Sequence, residues 1–343
     1  MQDIKQFNLK ELESQLSSIG SKAYHAKQIF SWIYQKGILD FNRMSDLSSG
    51  LRNQLLRNFS ILNSEIIKTF ESKDGTKKIL IQLKDKSLIE AVNIPQDKRV
   101  TGCVSTQVGC KFACTFCASG ISGFKRNLDA SEIIEEVLWI KDVSPGYKLT
   151  HLVFMGTGEP LDNYDNVMKA IRLINTPWGL NIGARRITIS TSGIIPGIKK
   201  LALEDLQFEL SVSLHASNDH LRSRLMPINK KYPLLDLIAA CREYAQKTKR
   251  QVTFEYILLK GINSELKHAK ELVKLLSGFK LSKVNIIPSN PVKELNIEAP
   301  AREEVLNFKN YLVQQGQIVT LRKERGNDIQ AACGQLRLSY EKK

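Results

Sequence analysis

No apolar run in these 343 residues approaches the roughly 18 to 20 that a membrane-crossing helix needs. Stretches such as 152–155 and 256–259 are soon interrupted, so no membrane partner is expected. An export signal is missing as well: the opening 16 residues thread Asp, Lys, Glu and Gln between the apolar positions and offer no small-residue cleavage site. The expected location is cytoplasmic. Cysteine is scarce, 6 in all, and without an export signal such thiols suit metal ligation or redox chemistry better than structural bridges. Acidic residues are outnumbered, 35 against 50 Lys plus Arg, which leaves a net charge of +15. That excess favours a polyanionic partner, most simply nucleic acid, because a basic surface gains from releasing condensed counterions. A generally basic, soluble surface would give the same count.

What is present is ordinary globular composition. Apolar residues make up 42% and charged ones 25%, which argues against long disorder, collagen and coiled coil. The length suits two average domains, or one α/β barrel with an added module. Residues 9–59 carry apolar positions at helical spacing, with Ile29, Phe30, Ile33 and Tyr34, then Leu51, Leu55 and Leu56, punctuated by Gly20 and Gly37. This predicts a helical module whose Lys, Arg and Gln residues would suit contact with RNA; helical packing alone explains the spacing equally well.

Two strand-like runs, 78–83 and 88–94, flank a turn at Lys84, Asp85 and Lys86, and Pro95 is expected to end the second. Alternation there sets Leu88, Glu90 and Val92 on one face, so a carboxylate interrupts an apolar stripe. From residue 100 onward strand and helix patterns alternate. The strands are expected at 100–106, 150–155, 186–192, 208–214, 251–258 and 283–288. Helices are expected at 131–141, opened by Asp129 and Glu132 in capping-box spacing, and at 234–246. Such alternation implies a parallel sheet, and six βα units fit a barrel or partial barrel. No Gly-rich dinucleotide fingerprint follows the first strand, which weakens a doubly wound alternative.

The strongest chemical signal is Cys110-Lys111-Phe112-Ala113-Cys114-Thr115-Phe116-Cys117, three thiols just beyond the first of these strands. Three thiolates in one loop can hold an iron–sulfur cluster and leave one iron open to another ligand. A zinc site would need a fourth ligand from elsewhere, and unconnected core cysteines would need none.

This triplet, with an aromatic before its last Cys, resembles the radical S-adenosylmethionine (SAM) superfamily, whose fold is a partial (β/α)6 barrel. The resemblance implies that Cys110, Cys114 and Cys117 hold a 4Fe-4S cluster through three cysteine ligands. Its open iron would chelate SAM, which one-electron reduction cleaves to a 5′-deoxyadenosyl radical. The run Met155-Gly156-Thr157-Gly158-Glu159-Pro160 is similar to the superfamily's glycine-rich turn, in which Gly158 lets the backbone approach SAM and Glu159 accepts from its ammonium. Ser190, Ser213, Leu214, His215 and Asn290, at successive strand ends, resemble the remaining SAM contacts. Taken singly, His215 reads equally as a core histidine and Ser190 as a strand-end cap.

A narrower likeness covers nearly the whole chain. Arg325-Gly326-Asn327-Asp328 through Ala332-Cys333-Gly334-Gln335-Leu336 resembles the C-terminal signature of the RlmN family of RNA adenine C-2 methyltransferases. Gln107-Val108-Gly109, Gly123-Phe124-Lys125-Arg126-Asn127-Leu128 and Met226-Pro227-Ile228-Asn229 match the same family. The fold class this implies is α/β. A small N-terminal helical accessory domain (1–60) and a short β-hairpin segment (61–98) precede a radical SAM partial (β/α)6 TIM-like barrel with a C-terminal cysteine segment (99–343).

The resemblance further implies that Cys333 takes a methyl group from one SAM while a second SAM is cleaved at the cluster, two per turnover. Cys103 would resolve the resulting protein–RNA link as a disulfide, and Glu90 would accept the carbon-2 proton. Implied partners are 23S rRNA, tRNA and an electron donor such as flavodoxin, with the chain acting as a monomer. Cys241, on a helical apolar pattern, reads as core. Candidate RNA contacts are Lys125, Arg126, Arg185, Arg186, Arg222, Arg224, Lys230, Lys231, Arg322 and Lys323. The rival readings are a Cfr-like carbon-8 methyltransferase and a non-catalytic, zinc-stabilised RNA-binding module.

Overall fold

The first 60 residues fold as the apolar spacing predicts, in a computed structural model that describes residues 1–121, 123–290, 298–323, 325–332 and 334–336. A two-residue strand, β1 (Gln2–Asp3), leads into α1 (Leu9–Ser18), whose Asn8 and Glu11 form a reciprocal capping box. Then come α2 (His25–Phe30), α3 (Ser49–Asn58) and β2 (Phe59–Ser60), which pairs in parallel with β1. Gly37, at φ +72, ends the turns after α2 in a left-handed conformation that a side chain disfavours.

Four antiparallel strands follow: β3 (Glu65–Glu71), β4 (Lys77–Gln82), β5 (Leu88–Gln96) and β6 (Arg99–Cys103). The β4–β5 hairpin lies where expected, whereas β3 carries too little burial to announce itself in sequence. Pro95 does not end its strand. It sits within β5 opposite Val100, near the end of the ladder, where its missing N–H is tolerated.

A short antiparallel pair, β7 (Gln107–Gly109) and β8 (Phe124–Asn127), brackets the cysteine loop. The βα units then run α4 (Ala130–Asp142), β9 (Lys148–Phe154), α5 (Tyr164–Asn175), β10 (Ile187–Thr191), α6 (Ile195–Leu201) and β11 (Glu209–Ser213). They continue through α7 (Asp219–Leu225), α8 (Leu234–Thr248), β12 (Val252–Leu258), α9 (Leu266–Leu276), β13 (Ser282–Pro288), α10 (Arg302–Gln314) and β14 (Val319–Leu321).

Among the described residues the main sheet has ten strands in the order β14-β13-β12-β11-β10-β9-β6-β5-β4-β3. Strands β6 and β9 to β14 are parallel and add one after another on the same side, with no reversal of order. That is the course of an open barrel rather than of a doubly wound sheet, and it collects the C-terminal strand ends on one rim. All six expected barrel strands are present, joined by the three-residue β14. Helix α4 is buried almost all round because it lies between sheet and N-terminal module. Its adjacent carboxylates serve both sides: Glu135 accepts from the backbone of Asn63 and Ser64, and Glu136 from the amide of Ser105 at 2.9 Å.

Candidate active site

The cysteine loop can start where it does because residue 109 has no side chain. Gly109 sits at φ +76, and a Cβ there would lie 1.8 Å from the Gly123 carbonyl, the same oxygen that accepts from the Cys110 amide. Gln107 then ties the loop to the next strand end. Its Oε1 accepts from the Glu159 amide at 2.9 Å and its Nε2 donates to Asp162 at 2.8 Å, while Asp162 pairs with Lys111 at 2.7 Å. In sequence Gln107 is only one member of a motif; its bracing role depends on a contact 52 residues away that no local pattern announces.

Cys110, Cys114 and Cys117 line one chamber, open at its mouth, together with Gly158, Glu159, Ser190, Ser213 and His215. Burial pushes the Cys110 thiol up to about 11, with the neighbouring Cys117 adding to it. Burial, then Cys117 and Cys110, raise Cys114 well above the ordinary thiol range. Three half-buried thiols gathered on one chamber wall, two of them with ionisation opposed by burial and by their neighbours, are a donor set that bound cationic metal would stabilise as thiolates. The residues therefore fit an iron–sulfur cluster.

Gly158 stands at φ +104, and a Cβ there would meet Gln107 Cβ at 2.6 Å. This close packing lets the turn fold Glu159 inward. The Glu159 carboxylate accepts from Ser192 N at 2.6 Å and from Leu161 N at 3.0 Å, so one side chain joins the ends of β9 and β10. Burial raises its affinity for a proton and these hydrogen bonds oppose the shift.

His215, at φ +56, accepts from Ile257 N through Nδ1 at 3.0 Å, so the ring proton resides on Nε2. Burial first, and the nearby Arg222 second, hold its pKa down to about 3. It is neutral at physiological pH and offers an N–H donor, packed edge-on against Phe116 at 4.7 Å. Leu214 does not line the chamber. Its side chain is in the core, its N–H donates to Glu255 O, and its carbonyl accepts from Arg222 Nε.

Arg222 corrects the surface reading given to it. The guanidinium is fully buried and donates to the carbonyls of Ser192 at 2.7 Å and Ser213 at 2.9 Å and to Asn229 Oδ1 at 2.9 Å. It braces the strand ends from beneath instead of facing RNA. Arg126 is likewise engaged, by Asp85 and Glu132.

A second chamber adjoins the first, sharing Met155, Ile287 and Arg322 as its wall. It is lined by Cys103, Asn290, Lys323 and Arg325, so Asn290 stands across the partition from Ser190 and Ser213. Cys103 packs with Val92, Ala331 and Leu336. Glu90 is buried on the same sheet face, since Val92 pairs with Cys103 and Glu90 lies two residues before Val92. Cys333 lies outside the described residues; Ala332 lines the second chamber and Gly334 the first. Cys241 is buried in α8 with its thiol pushed up to about 12 by burial, as a core residue.

Comparison with known proteins agrees with this geometry. The model of the radical SAM superfamily matches residues 104–273, and that of the ribosomal RNA large subunit methyltransferase N-terminal domain matches residues 2–61. A protein of Caldanaerobacter subterraneus subsp. tengcongensis named "Probable dual-specificity RNA methyltransferase RlmN" is 48% identical over 343 residues, covering 100% of this chain and 99% of its own. A protein of the same name from Clostridium perfringens is 45% identical, covering 100% and 98%. The crystal structure of a radical SAM methyltransferase from Sphaerobacter thermophilus superposes with a TM-score of 0.95 at 42% identity over 98% of this chain and 99% of that one. These likenesses to enzymes set aside the non-catalytic zinc module. A chain so alike from end to end belongs to the RlmN family of radical SAM RNA methyltransferases.

Proposed function

We propose that the chain methylates carbon 2 of an adenosine in 23S rRNA, at the peptidyl-transferase centre, and of the adenosine 3′ of the anticodon in some tRNAs. One observation carries the chemistry. The sheet face bearing Glu90 and Cys103 is roofed by Ala331 and Leu336, residues that flank Cys333 in sequence, and it abuts the chamber of three thiols.

Cys110, Cys114 and Cys117 would hold the 4Fe-4S cluster as its three ligands. Gly158, Glu159, Ser190, Ser213, His215 and Asn290 would orient SAM. Glu159 accepts from its ammonium, His215 donates through Nε2, and Leu214 supports the cradle from below. When bound, the cluster and two SAM molecules per turnover supply a methyl group and the removal of a hydrogen atom from it.

The protein's own residues manage what surrounds that event. Carbon 2 of adenine lies between two electron-withdrawing nitrogens and is a poor nucleophile, whereas a thiolate accepts a methyl group readily. Cys333 is that thiolate. Once the base is joined to the methylene carbon, Glu90 would accept the carbon-2 proton and the adduct's one surplus electron would pass to the iron–sulfur cluster. The Cys103 thiolate then attacks the Cys333 sulfur, and the sulfur–carbon bond breaks with its electron pair on the carbon. That carbon takes a proton to become the methyl group as the RNA leaves a Cys103–Cys333 disulfide behind. The target base must be unstacked to reach this face, and the basic N-terminal module is suited to recognising RNA shape. A flavodoxin-like reductant, a cytoplasmic location and a monomeric state complete the reading. Among the described residues no helix is long and apolar enough to cross a membrane.

Mass spectrometry of RNA modified by the reconstituted protein, run with isomer standards, tests this. The expected product is 2-methyladenosine; 8-methyladenosine in its place would transfer the chain to the carbon-8 reaction. The Cys333→Ala variant is expected to retain iron, sulfide and SAM binding and to yield no methylated RNA, and substantial product from it would contradict the nucleophile assignment.

A further inference from the structure

Lys78 is a lysine where a strand should have none. It stands in β4 within a run of buried residues, and its side chain is only 4% exposed. An ammonium so far from water requires partners, and three surround it. Glu90 Oε1 lies at 3.1 Å, the backbone carbonyl of Gln330 at 3.3 Å, and the Phe70 ring centroid at 5.1 Å.

The pairing follows from register. Lys78 faces Val92 and Leu80 faces Glu90, so Lys78 and Glu90 are diagonal neighbours on one face, and Val92 in turn faces Cys103. One cation thus touches the carboxylate assigned the carbon-2 proton and a carbonyl three residues before Cys333.

We infer that Lys78 is the positioning residue for the proton-transfer step, holding Glu90 ionised and aimed beneath the segment that leads to Cys333. In that step the C2–H bond of the attached base breaks, the proton bonds a Glu90 oxygen, and the electron pair stays on the ring. Glu90 becomes a neutral acid and Lys78 keeps its protons. A buried carboxylate without the ammonium would favour its protonated form and have no place for the incoming proton. The inference rests on the reading of Glu90 as proton acceptor, and the test separates the two.

Reconstituted protein, SAM, dithionite and an rRNA transcript are followed through one turnover. The readouts are 5′-deoxyadenosine, the nuclease-sensitive protein–RNA adduct, and released 2-methyladenosine. Lys78→Met preserves the packing on Phe70 and is expected to form 5′-deoxyadenosine and adduct normally while releasing product about 100-fold more slowly, the scale of a lost general base. Lys78→Arg, which keeps the charge, is expected to recover release to within about tenfold of the unsubstituted protein. Glu90→Gln is expected to arrest at the same adduct.

Normal release from Lys78→Met, failure of that variant to form adduct, or an Arg variant no better than Met would each overturn the role given to Lys78. Normal release from Glu90→Gln would instead remove Glu90, and the inference with it.

Discussion

Glu159 carries two duties that substitution can separate. Its carboxylate satisfies the buried amides of Ser192 and Leu161 and also faces the thiol chamber. Glu159→Ala leaves both amides without an acceptor, a cost of about 1 to 3 kcal/mol for each, so the melting temperature is expected to fall by several degrees. SAM affinity measured by equilibrium dialysis is expected to fall at least about tenfold, since a charge-assisted hydrogen bond is lost. Glu159→Gln, which keeps one carbonyl oxygen, should recover most of the stability and little of the affinity; an Ala variant that binds SAM normally would make Glu159 purely structural. The cysteine triplet and the Gly158-Glu159 turn were legible because their chemistry is written in consecutive residues. Arg222 was not. A cation is ordinarily read as a surface residue, and only the fold reveals that the carbonyls of Ser192 and Ser213 converge on this one.

Between β3 and β4 a turn grips the segment before Cys333. Ser72 Oγ donates to Asp328 at 2.6 Å, and Gly326 N donates to Asp74 at 3.2 Å. Asp328→Asn is expected to speed amide exchange severalfold across residues 325–332 with iron content unchanged; undisturbed exchange would show that the grip lies elsewhere. Burial raises Asp74, but hydrogen bonds from Thr76, Gly326 and Ser72 outweigh it and hold the carboxyl down at about 2. Its contribution is therefore fully present above the usual carboxyl range and is lost as the pH falls toward about 2. On the opposite side of the site, Gly109→Ala would drive a methyl group into the Gly123 carbonyl, and the purified variant is expected to lose most of its iron. Strand and helix types were largely readable from periodicity. The exceptions include β3, whose mostly exposed residues give no stripe, the strands β1, β2, β7, β8 and β14, of two to four residues and too short to show a period, and Pro95, which a near-terminal ladder position tolerates.

The N-terminal module is fastened to the barrel by a buried lysine. Lys5 Nζ meets Asp3 at 2.9 Å and Glu135 at 2.8 Å and also donates to the Ile61 carbonyl. Lys5→Ala leaves the Asp3 and Glu135 carboxylates without their shared cation, though Asn63 and Ser64 still donate to them, and is expected to destabilise the whole protein by about 3 kcal/mol, measurable by urea denaturation. The net charge of +15 predicts that RNA affinity falls steeply and linearly on logarithmic axes as salt rises; a flat response would deny the surface its role. Barrel class and module order could be inferred from the alternation of patterns, whereas the union of the β3–β4 turn with the distant C-terminal segment could not, because 256 residues separate Ser72 from Asp328. That separation has a bearing on biosynthesis. The turn leaves the ribosome long before its counterpart has been translated, so this face stays unassembled until every barrel strand has been made.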